Sequence, residues 1–258
     1  MNLEIDGLRV MVSAGAGGIG LEIARAFVRE GARVHVCDVD TALLARLAKS
    51  DSAISSSQCD VASRDQVALF FEQGIEKLGG LDCLVNNAGI AGPTGRVDEI
   101  DPAEWDRCIA VDLTGQFNCA RVAVPHLRRS KNASIMNVSS LAGRLGFALR
   151  TPYASAKWGV VGFSRSLAQE LGGEGIRVNA LLPGVVAGER QVRVLSAKAE
   201  ARGITFEEME VLAFSYTSIK EYVTPQQLAN LAVYVASPHG RLISGQALSM
   251  CGDTNMLG

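Results

Sequence analysis

The 258-residue sequence has few histidines, no paired cysteine motif and no long apolar run. Its three histidines are scattered at positions 35, 126 and 239, so we expect no metal site. The six cysteines have no C-x-x-C spacing, which favours reduced thiols. No stretch is apolar for long enough to cross a bilayer, and residues 1–6 lack the pattern of a signal peptide. These absences predict a cytoplasmic protein.

An excess of charge of one sign is also lacking. The chain has 25 Lys and Arg against 27 Asp and Glu, which leaves a formal net charge of −2. Without a basic field we expect neither nucleic acid nor a membrane surface as a partner. Apolar residues make up 48% of the chain, which is enough to bury a sheet between helices in one domain.

Strand and helix patterns alternate along the whole chain. Strand patterns cover residues 8–13, 33–38, 53–59, 81–86, 133–138, 176–181 and 246–250. Helical patterns lie near 18–31, 41–49, 63–78, 103–130, 151–173 and 225–237. The alternation predicts an α/β fold in a single domain over 1–258, a doubly wound parallel sheet of about seven strands with helices on both faces. Only 184–224 is long and irregular, with helix-like pieces at 192–202 and 206–214.

A glycine-rich loop follows the first predicted strand and opens a helix. Glycines let the backbone turn tightly and let a pyrophosphate approach the main chain. The helix N-terminus then offers unpaired N–H groups to the phosphates. The context of strand, loop and helix favours a dinucleotide site over a plain βα turn, with contacts at Ser13, Gly15, Gly18, Ile19 and Gly20.

The second predicted strand ends in Asp38. This carboxylate lies near the offset at which an acidic side chain binds the ribose 2′-hydroxyl of a dinucleotide. A 2′-phosphate would be repelled there, and the following residue, Val39, offers no cation. The pattern therefore predicts NAD rather than NADP. The alternative role of Asp38 is a helix cap, for which Asp40 and Thr41 are better placed.

Tyr153 and Lys157 are spaced by one turn of a predicted helix, which puts both side chains on one face. A lysine ammonium beside a phenol favours the phenolate, and this suits the phenol to carrying a proton near neutral pH. Two further motifs follow strand patterns: Asn86-Asn87-Ala88-Gly89, and Ser140. In a parallel sheet the carboxyl ends of the strands share one edge, so one crevice could gather all of these residues.

In this order and spacing the motifs resemble the short-chain dehydrogenase/reductase family over the whole chain. The resemblance rests on the Ser13–Gly20 loop, Asn86–Gly89, Ser140, Tyr153 with Lys157, and Pro183-Gly184. It implies a Rossmann-like fold in which Ser140 polarises the substrate oxygen, Tyr153 moves the proton, and Lys157 assists Tyr153 and binds the nicotinamide ribose. Further cofactor contacts that it implies are Asp60 and Val61 at the adenine, Asn87, Ala88, Gly89, Pro183, Gly184 and Val186.

Three positions depart from the family pattern. Ala14 stands where the first glycine of the loop is usual. Asp112 stands where many members have a catalytic asparagine, and an ionised carboxylate can accept a hydrogen bond but cannot donate one. Gly188 replaces a threonine that binds the nicotinamide carboxamide, so we expect backbone groups near Val186 to make that contact.

The leading hypothesis is an NAD-dependent oxidoreductase that interconverts a secondary alcohol and a ketone on a small polar substrate, such as a polyol, a sugar or a hydroxy acid. One alternative is a 3-oxoacyl thioester reductase, although we identify no basic docking surface for it. A second alternative is a non-catalytic NAD-binding regulatory protein. Intact Ser140, Tyr153 and Lys157 argue against the second alternative.

Substrate contacts are assigned to Ala91, Leu141, Phe147, Arg150 and Arg190. The arginines suit a carboxylate-bearing or polyhydroxylated substrate, or they lie on a solvated loop. Segment 184–224 resembles the substrate lid of the family, and a surface excursion is its alternative reading. The helices at 103–130 and 151–173 are apolar on more than one side, and the resemblance implies a homotetramer.

Overall fold

A computed structural model describes residues 2–257 of the chain. Its strands are β1 Arg9–Ser13, β2 Arg33–Asp38, β3 Ile54–Gln58, β4 Cys83–Asn86, β5 Ser134–Val138, β6 Arg177–Pro183 and β7 Ala247–Met250. Its α-helices are α1 Gly18–Arg29, α2 Thr41–Ser50, α3 Arg64–Leu78, α4 Pro102–Ile109, α5 Gly115–Leu127, α6 Thr151–Gly172, α7 Glu189–Arg202, α8 Phe206–Ser215 and α9 Pro225–Ala236. Each of the seven predicted strands is confirmed.

The seven strands form one parallel sheet in the order β3-β2-β1-β4-β5-β6-β7. The central strands are covered on both faces, which is why they read as continuous apolar runs in the sequence. The order reverses between β1 and β4, where the chain leaves one half of the sheet and begins the other. In doubly wound sheets this switch point opens a crevice at the carboxyl ends of the strands.

Helices cover both faces of the sheet. Val10 and Val12 of β1 pack with α1 and α9 on one face, while the intervening Met11 packs with α3 and α5 on the other. This alternation follows from the two-residue period of a strand. Two buried hydrophobic clusters therefore hold the sheet between the helical layers and fix the positions of the strand ends.

Two segments differ from their predicted form. The helix expected over 103–130 is divided by a π-helical turn at Ala110–Thr114, which separates α4 from α5. In segment 184–224, α7 and α8 confirm the helix-like pieces predicted at 192–202 and 206–214, but α7 begins at Glu189, earlier than predicted. Thr205 is the N-cap residue of α8 and forms a reciprocal capping box with Glu208. Leu195 of α7 and Met209 of α8 are buried in a small hydrophobic cluster between the two helices.

Asp82, just before β4, ties the amino end of β1 to the loop before β5. Its carboxylate accepts hydrogen bonds from Arg9 Nε and Nη2, each at 2.7 Å, and from Ser130 Oγ at 2.6 Å. Burial raises the pKa of Asp82, but the Arg9 and Ser130 hydrogen bonds outweigh burial and hold that pKa below its usual value. No helix within residues 2–257 is long and apolar enough to cross a membrane.

Candidate active site

The glycine loop between β1 and α1 has the backbone that the sequence predicts, including at its irregular position. Ala14 has φ +49° and Gly18 has φ +54°, so both residues adopt left-handed conformations. Ala14 therefore makes the turn of a glycine at the cost of strain. Gly15 packs against β2, because an added Cβ would lie 2.6 Å from Cβ of Val36. Gly17 precedes α1 without a side chain to cap its first N–H groups.

Polar contacts tie this loop to the end of β4. Ser13 Oγ accepts the backbone N–H groups of Asn87 and Ala88, each at 3.0 Å. The Asn87 amide donates to the carbonyls of Ser13, at 3.2 Å, and Ala14, at 3.0 Å. Hydrogen bonds from Asn87 and Ala88 therefore connect the segment after β4 to the glycine loop at the switch point of the sheet.

Asp40, and not Asp38, caps the helix that follows β2. Asp40 caps α2, since its Oδ1 accepts the N–H groups of Ala42 at 2.9 Å and Leu43 at 3.0 Å. Asp38 ends β2 and points into the glycine loop, where its Oδ2 accepts the Ala16 N–H at 3.3 Å. Asp38 is therefore free of the capping role and faces the loop, while the next residue, Val39, is exposed.

Asp60 and Val61 lie in the loop after β3 and contact different helices. The carboxylate of Asp60 pairs with Arg107 of α4 at 3.0 Å. Val61 is buried against α5, where its carbonyl accepts the Asn118 side-chain amide at 3.0 Å. These contacts fix the wall of the crevice beyond the glycine loop.

Lys157 is a buried cation beside the ring of Tyr153. Its ammonium group lies 5.5 Å from the centroid of that ring, as the spacing along α6 predicts. The ammonium donates to the Val138 carbonyl at 3.1 Å and lies 3.4 Å from Oδ2 of Asp112. Lys157 is 3% exposed and Asp112 is fully buried, so this ion pair is shielded from solvent.

The π-helical turn carries Asp112 to this position. Its Oδ1 accepts the Ile90 N–H at 2.6 Å, while Oδ2 has no hydrogen bond within residues 2–257 other than the lysine contact. Gly89 gives both groups room, because an added Cβ would lie 3.1 Å from the Lys157 ammonium. π-Helical turns are frequent at functional sites. Asp112, which stands where many family members have asparagine, is thus an ion-pair partner of Lys157.

Ser140 follows β5 and starts a short 3₁₀ turn, Leu141–Gly143. Its hydroxyl oxygen accepts the Ala142 N–H at 3.2 Å, and the residue is half-buried. The neighbouring Ser139 hydroxyl donates to the Lys157 carbonyl at 2.8 Å, which joins this turn to α6. The ends of β5 and α6 therefore bring Ser140 and Tyr153 to the same edge of the sheet.

The end of β6 carries the remaining residues that the family resemblance assigns to the cofactor. Pro183 ends the strand, and Gly184 packs so closely on Cys251 that an added Cβ would lie 2.8 Å from its Cα. Val186 forms an isolated bridge with Val223. Gly188 precedes α7 with φ +142°, a conformation that a threonine would rarely adopt. A threonine at this position of the chain would therefore be strained.

A cleft of about 270 Å³ lies between the loop after β4 and α7. Tyr153 does not line it, but the guanidinium groups of Arg150 and Arg190 in its wall lie 5.1 and 6.0 Å from the Tyr153 ring. The lining residues of the cleft are Gly89, Ile90, Ala91, Gly92, Thr94, Arg150, Arg190, Arg193, Val194 and Ala197. Three of the five predicted substrate residues, Ala91, Arg150 and Arg190, are therefore in its wall. The other two are not: Leu141 is buried in the core, and Phe147 lies under the guanidinium of Arg150 at 5.3 Å.

The fold and the site define an α/β protein of the doubly wound class, with a buried lysine–aspartate pair and a tyrosine at the carboxyl edge of its sheet. The chain belongs to the short-chain dehydrogenase/reductase family, a family of oxidoreductases. Residues 14–252 match a model of this family that is described as enoyl-(acyl carrier protein) reductase. The predicted family and the predicted fold class are both confirmed.

Relatives with named activities cover almost the whole chain. The chain is 31% identical to 2-(S)-hydroxypropyl-CoM dehydrogenase 3 of Xanthobacter autotrophicus over 94% of each protein. It is also 31% identical to D-beta-hydroxybutyrate dehydrogenase of Cupriavidus necator, over 96% of this chain and 98% of that one. A crystal structure of levodione reductase has the same fold, with a TM-score of 0.88, 24% identity, and coverage of 96% of this chain and 97% of the other.

Sequence reasoning missed two features of the site. It placed Arg150 on a loop but gave no sign that its side chain is 2% exposed. It also treated Asp112 only as a replacement for asparagine and did not pair it with Lys157. The one available signal was the charge of Asp112 at a position where the family has a neutral amide.

Proposed function

We propose that the protein is an NAD-dependent dehydrogenase that interconverts a secondary alcohol and a ketone through Ser140, Tyr153 and Lys157. The observation that carries this proposal is the buried ammonium group of Lys157, which Val138 and Asp112 hold beside the Tyr153 ring. Asp112 and the Val138 carbonyl offset the cost of burying this cation, and the pair lies at the carboxyl edge of the sheet, where doubly wound folds bind their ligands.

The crevice at the glycine loop fits a dinucleotide. Apart from the immediate neighbours of Gly18 in the chain and in α1, no heavy atom of residues 2–257 lies within 4 Å of a Cβ placed at Gly18, so this side of the loop has room for a ligand such as a pyrophosphate. The N–H groups at the start of α1 lack a capping side chain, which leaves them available to phosphate oxygens. Asp38, freed from helix capping by Asp40, suits a ribose with two hydroxyls and repels a 2′-phosphate. NAD is therefore the proposed cofactor.

When NAD is bound, its nicotinamide ring supplies the hydride acceptor. In alcohol oxidation, the C–H bond of the carbinol breaks with both electrons leaving as hydride. Tyr153 in its phenolate form would take the hydroxyl proton and become a phenol, and the substrate oxygen becomes a carbonyl. We assign to Ser140 the donation of a hydrogen bond to that oxygen, and to the buried Lys157 the supply of positive charge beside Tyr153.

The size of the cleft favours a small substrate. Sites for drug-sized ligands typically measure roughly 300–1,000 Å³, and the cleft between the loop after β4 and α7 measures about 270 Å³. A 3-oxoacyl thioester remains a second candidate. The chain is 30% identical to 3-oxoacyl-(acyl carrier protein) reductase of Thermotoga maritima, over 97% of this chain and 98% of that one. A reductase of this kind would prefer a thioester of pantetheine to any free small alcohol.

Initial rates of NAD and NADP reduction with a panel of polyols, sugars and hydroxy acids test the proposal. The same assay with 3-oxobutyryl pantetheine and NADH tests the thioester candidate. We expect NAD-dependent oxidation of a small alcohol and a loss of at least about a hundredfold in kcat for Tyr153→Phe. Retained NAD affinity in that variant separates lost chemistry from lost binding. Binding of NAD without turnover of any compound would instead support a non-catalytic protein.

A further inference from the structure

Two guanidinium groups converge on the Tyr153 ring from the side of the cleft. The Arg150 guanidinium carbon lies 5.1 Å from the ring centroid, and that of Arg190 lies 6.0 Å from it. Arg150 comes from the N-cap position of α6, and Arg190 comes from the first turn of α7. Both side chains line the cleft.

Arg150 is an unusual buried cation. It is 2% exposed and is the largest of the fully buried side chains in the described chain. Its Nη2 donates to the Ala91 carbonyl, while its Nε has no hydrogen-bond partner among residues 2–257. Burial lowers the pKa of Arg150, and the like charge of Arg190 lowers it further. A buried guanidinium in such surroundings is poorly stabilised until an anion joins it.

Carboxylates do not balance this pair in the described chain. No carboxylate oxygen of residues 2–257 lies within 4 Å of the Arg150 or Arg190 guanidinium groups. Arg190 instead donates to the Gly89 carbonyl at 2.9 Å. The nearest buried carboxylate, Asp112, is already paired with Lys157. The cleft therefore presents excess positive charge next to the proposed proton carrier.

We propose that Arg150 and Arg190 bind the acid group of the substrate, which is a short-chain hydroxy acid in one direction and its oxo acid in the other. This inference rests on the proposed function and names the substrate class for the same site. Planar guanidinium groups match the paired oxygens of a carboxylate. The guanidinium carbons of Arg150 and Arg190 lie 5.1 and 6.0 Å from the centroid of the Tyr153 ring. A substrate that contacts both arginines and Tyr153 therefore has its acid group only a few bonds from its carbinol carbon.

A matched pair of probes tests anion binding without turnover. Butyrate and neutral butyramide have similar shapes and lack the reacting hydroxyl, and each is titrated into the enzyme–NAD complex by calorimetry. We expect butyrate to bind more tightly by roughly tenfold to a hundredfold, the range of charge-assisted hydrogen bonds. Arg190→Gln should remove most of that difference, whereas Arg241→Gln, an exposed arginine outside the cleft, should keep it.

The kinetic arm compares 3-hydroxybutyrate with 3-hydroxybutyramide as substrates. In the wild type, kcat/KM should favour the acid by tenfold or more, and Arg190→Gln should lower that value for the acid while the amide stays within about twofold. Because Arg150 is buried, Arg150→Lys is its test, since it keeps the charge and loses the planar fork. We expect a weaker preference for the acid in that variant.

The two arms separate the two proposals. Equal binding of butyrate and butyramide, or equal loss of acid and amide turnover in Arg190→Gln, would overturn the anion site. Turnover of neutral alcohols without any preference for acids would leave the proposed dehydrogenase standing and overturn only this inference. Tight binding of butyrate without turnover of any alcohol would support the anion site and count against the dehydrogenase.

Discussion

Replacing Ala14 by glycine should stabilise the chain slightly, although most substitutions in a buried loop destabilise. Ala14 has φ +49°, and a residue with a Cβ in this left-handed region is strained by roughly 1–2 kcal/mol. Glycine removes that strain. Glycine also gives the unfolded chain more conformational freedom, which lowers the free energy of unfolding by roughly 0.4–1 kcal/mol.

The methyl group of Ala14 reduces the net gain. The residue is half-buried against the hydrophobic cluster beneath α3, and half of a buried methyl contributes about 0.4 kcal/mol. We therefore expect Ala14→Gly to raise the free energy of unfolding by only about 0.5 kcal/mol. Ala16 in the same loop is the control, because it is buried and its φ is not positive. Ala16→Gly should lower the free energy of unfolding by about 1–2 kcal/mol.

Urea unfolding of both variants without cofactor, at one fixed protein concentration, measures this difference. The two midpoints should fall on opposite sides of the wild-type midpoint, with free energies that differ by about 2 kcal/mol. A melting experiment should show the same order, with a separation of about 4–8 °C for a chain of this size. Destabilisation of Ala14→Gly by as much as Ala16→Gly would refute the argument that this loop stores strain.

Four further outcomes are expected. Asp38→Ala should raise the KM for NAD and reduce the preference for NAD over NADP, whereas Asp40→Ala should leave that preference unchanged. Equal use of NAD and NADP by the wild type would contradict this prediction. Because the pKa of Asp82 is lowered in the folded state, its ionised carboxylate stabilises the fold above a pH of about 4, and this stabilisation is lost as the pH falls further. The wild type should therefore be more stable than Asp82→Asn at neutral pH, and this difference in the free energy of unfolding should become smaller in acid. Hydrogen exchange across 184–224 should slow when NAD and substrate are added together, and unchanged exchange would make the segment a static surface. Light scattering should show a tetramer, because α6 leaves Trp158 52% exposed, and a monomer at micromolar concentration would contradict this.

The sheet could be predicted because its signals are local. The central strands are mostly apolar, and the helices between the strands have apolar residues at helical spacing. The Tyr153–Lys157 pair is likewise local, since four residues along a helix fix the relation of the two side chains. The role of Asp40 as the cap of α2 followed from its position before the first helical residue.

The features that could not be predicted depend on contacts between distant parts of the chain. The pairing of Asp112 with Lys157 needs the π-helical turn of one helix to face α6, and no short motif records that. The burial of Arg150 depends on the three-dimensional fold, which brings α7 to the same cleft and the rings of Phe147 and Tyr153 against its guanidinium group. The helices of segment 184–224 were predicted as helix-like pieces, but the packing of α7 on α8 through Leu195 and Met209 was not.

Transfer of deuterium from the carbinol carbon tests the central claim most directly. The wild type and Tyr153→Phe are each incubated with NAD and 3-hydroxybutyrate deuterated at the carbinol carbon, and NADH is examined by mass spectrometry. The account predicts deuterium in NADH from the wild type and at least about a hundredfold less from Tyr153→Phe, with NAD affinity retained in both proteins. Equal deuterium transfer by the two proteins, or NAD binding by the wild type with no transfer from this or any other secondary alcohol, would contradict it.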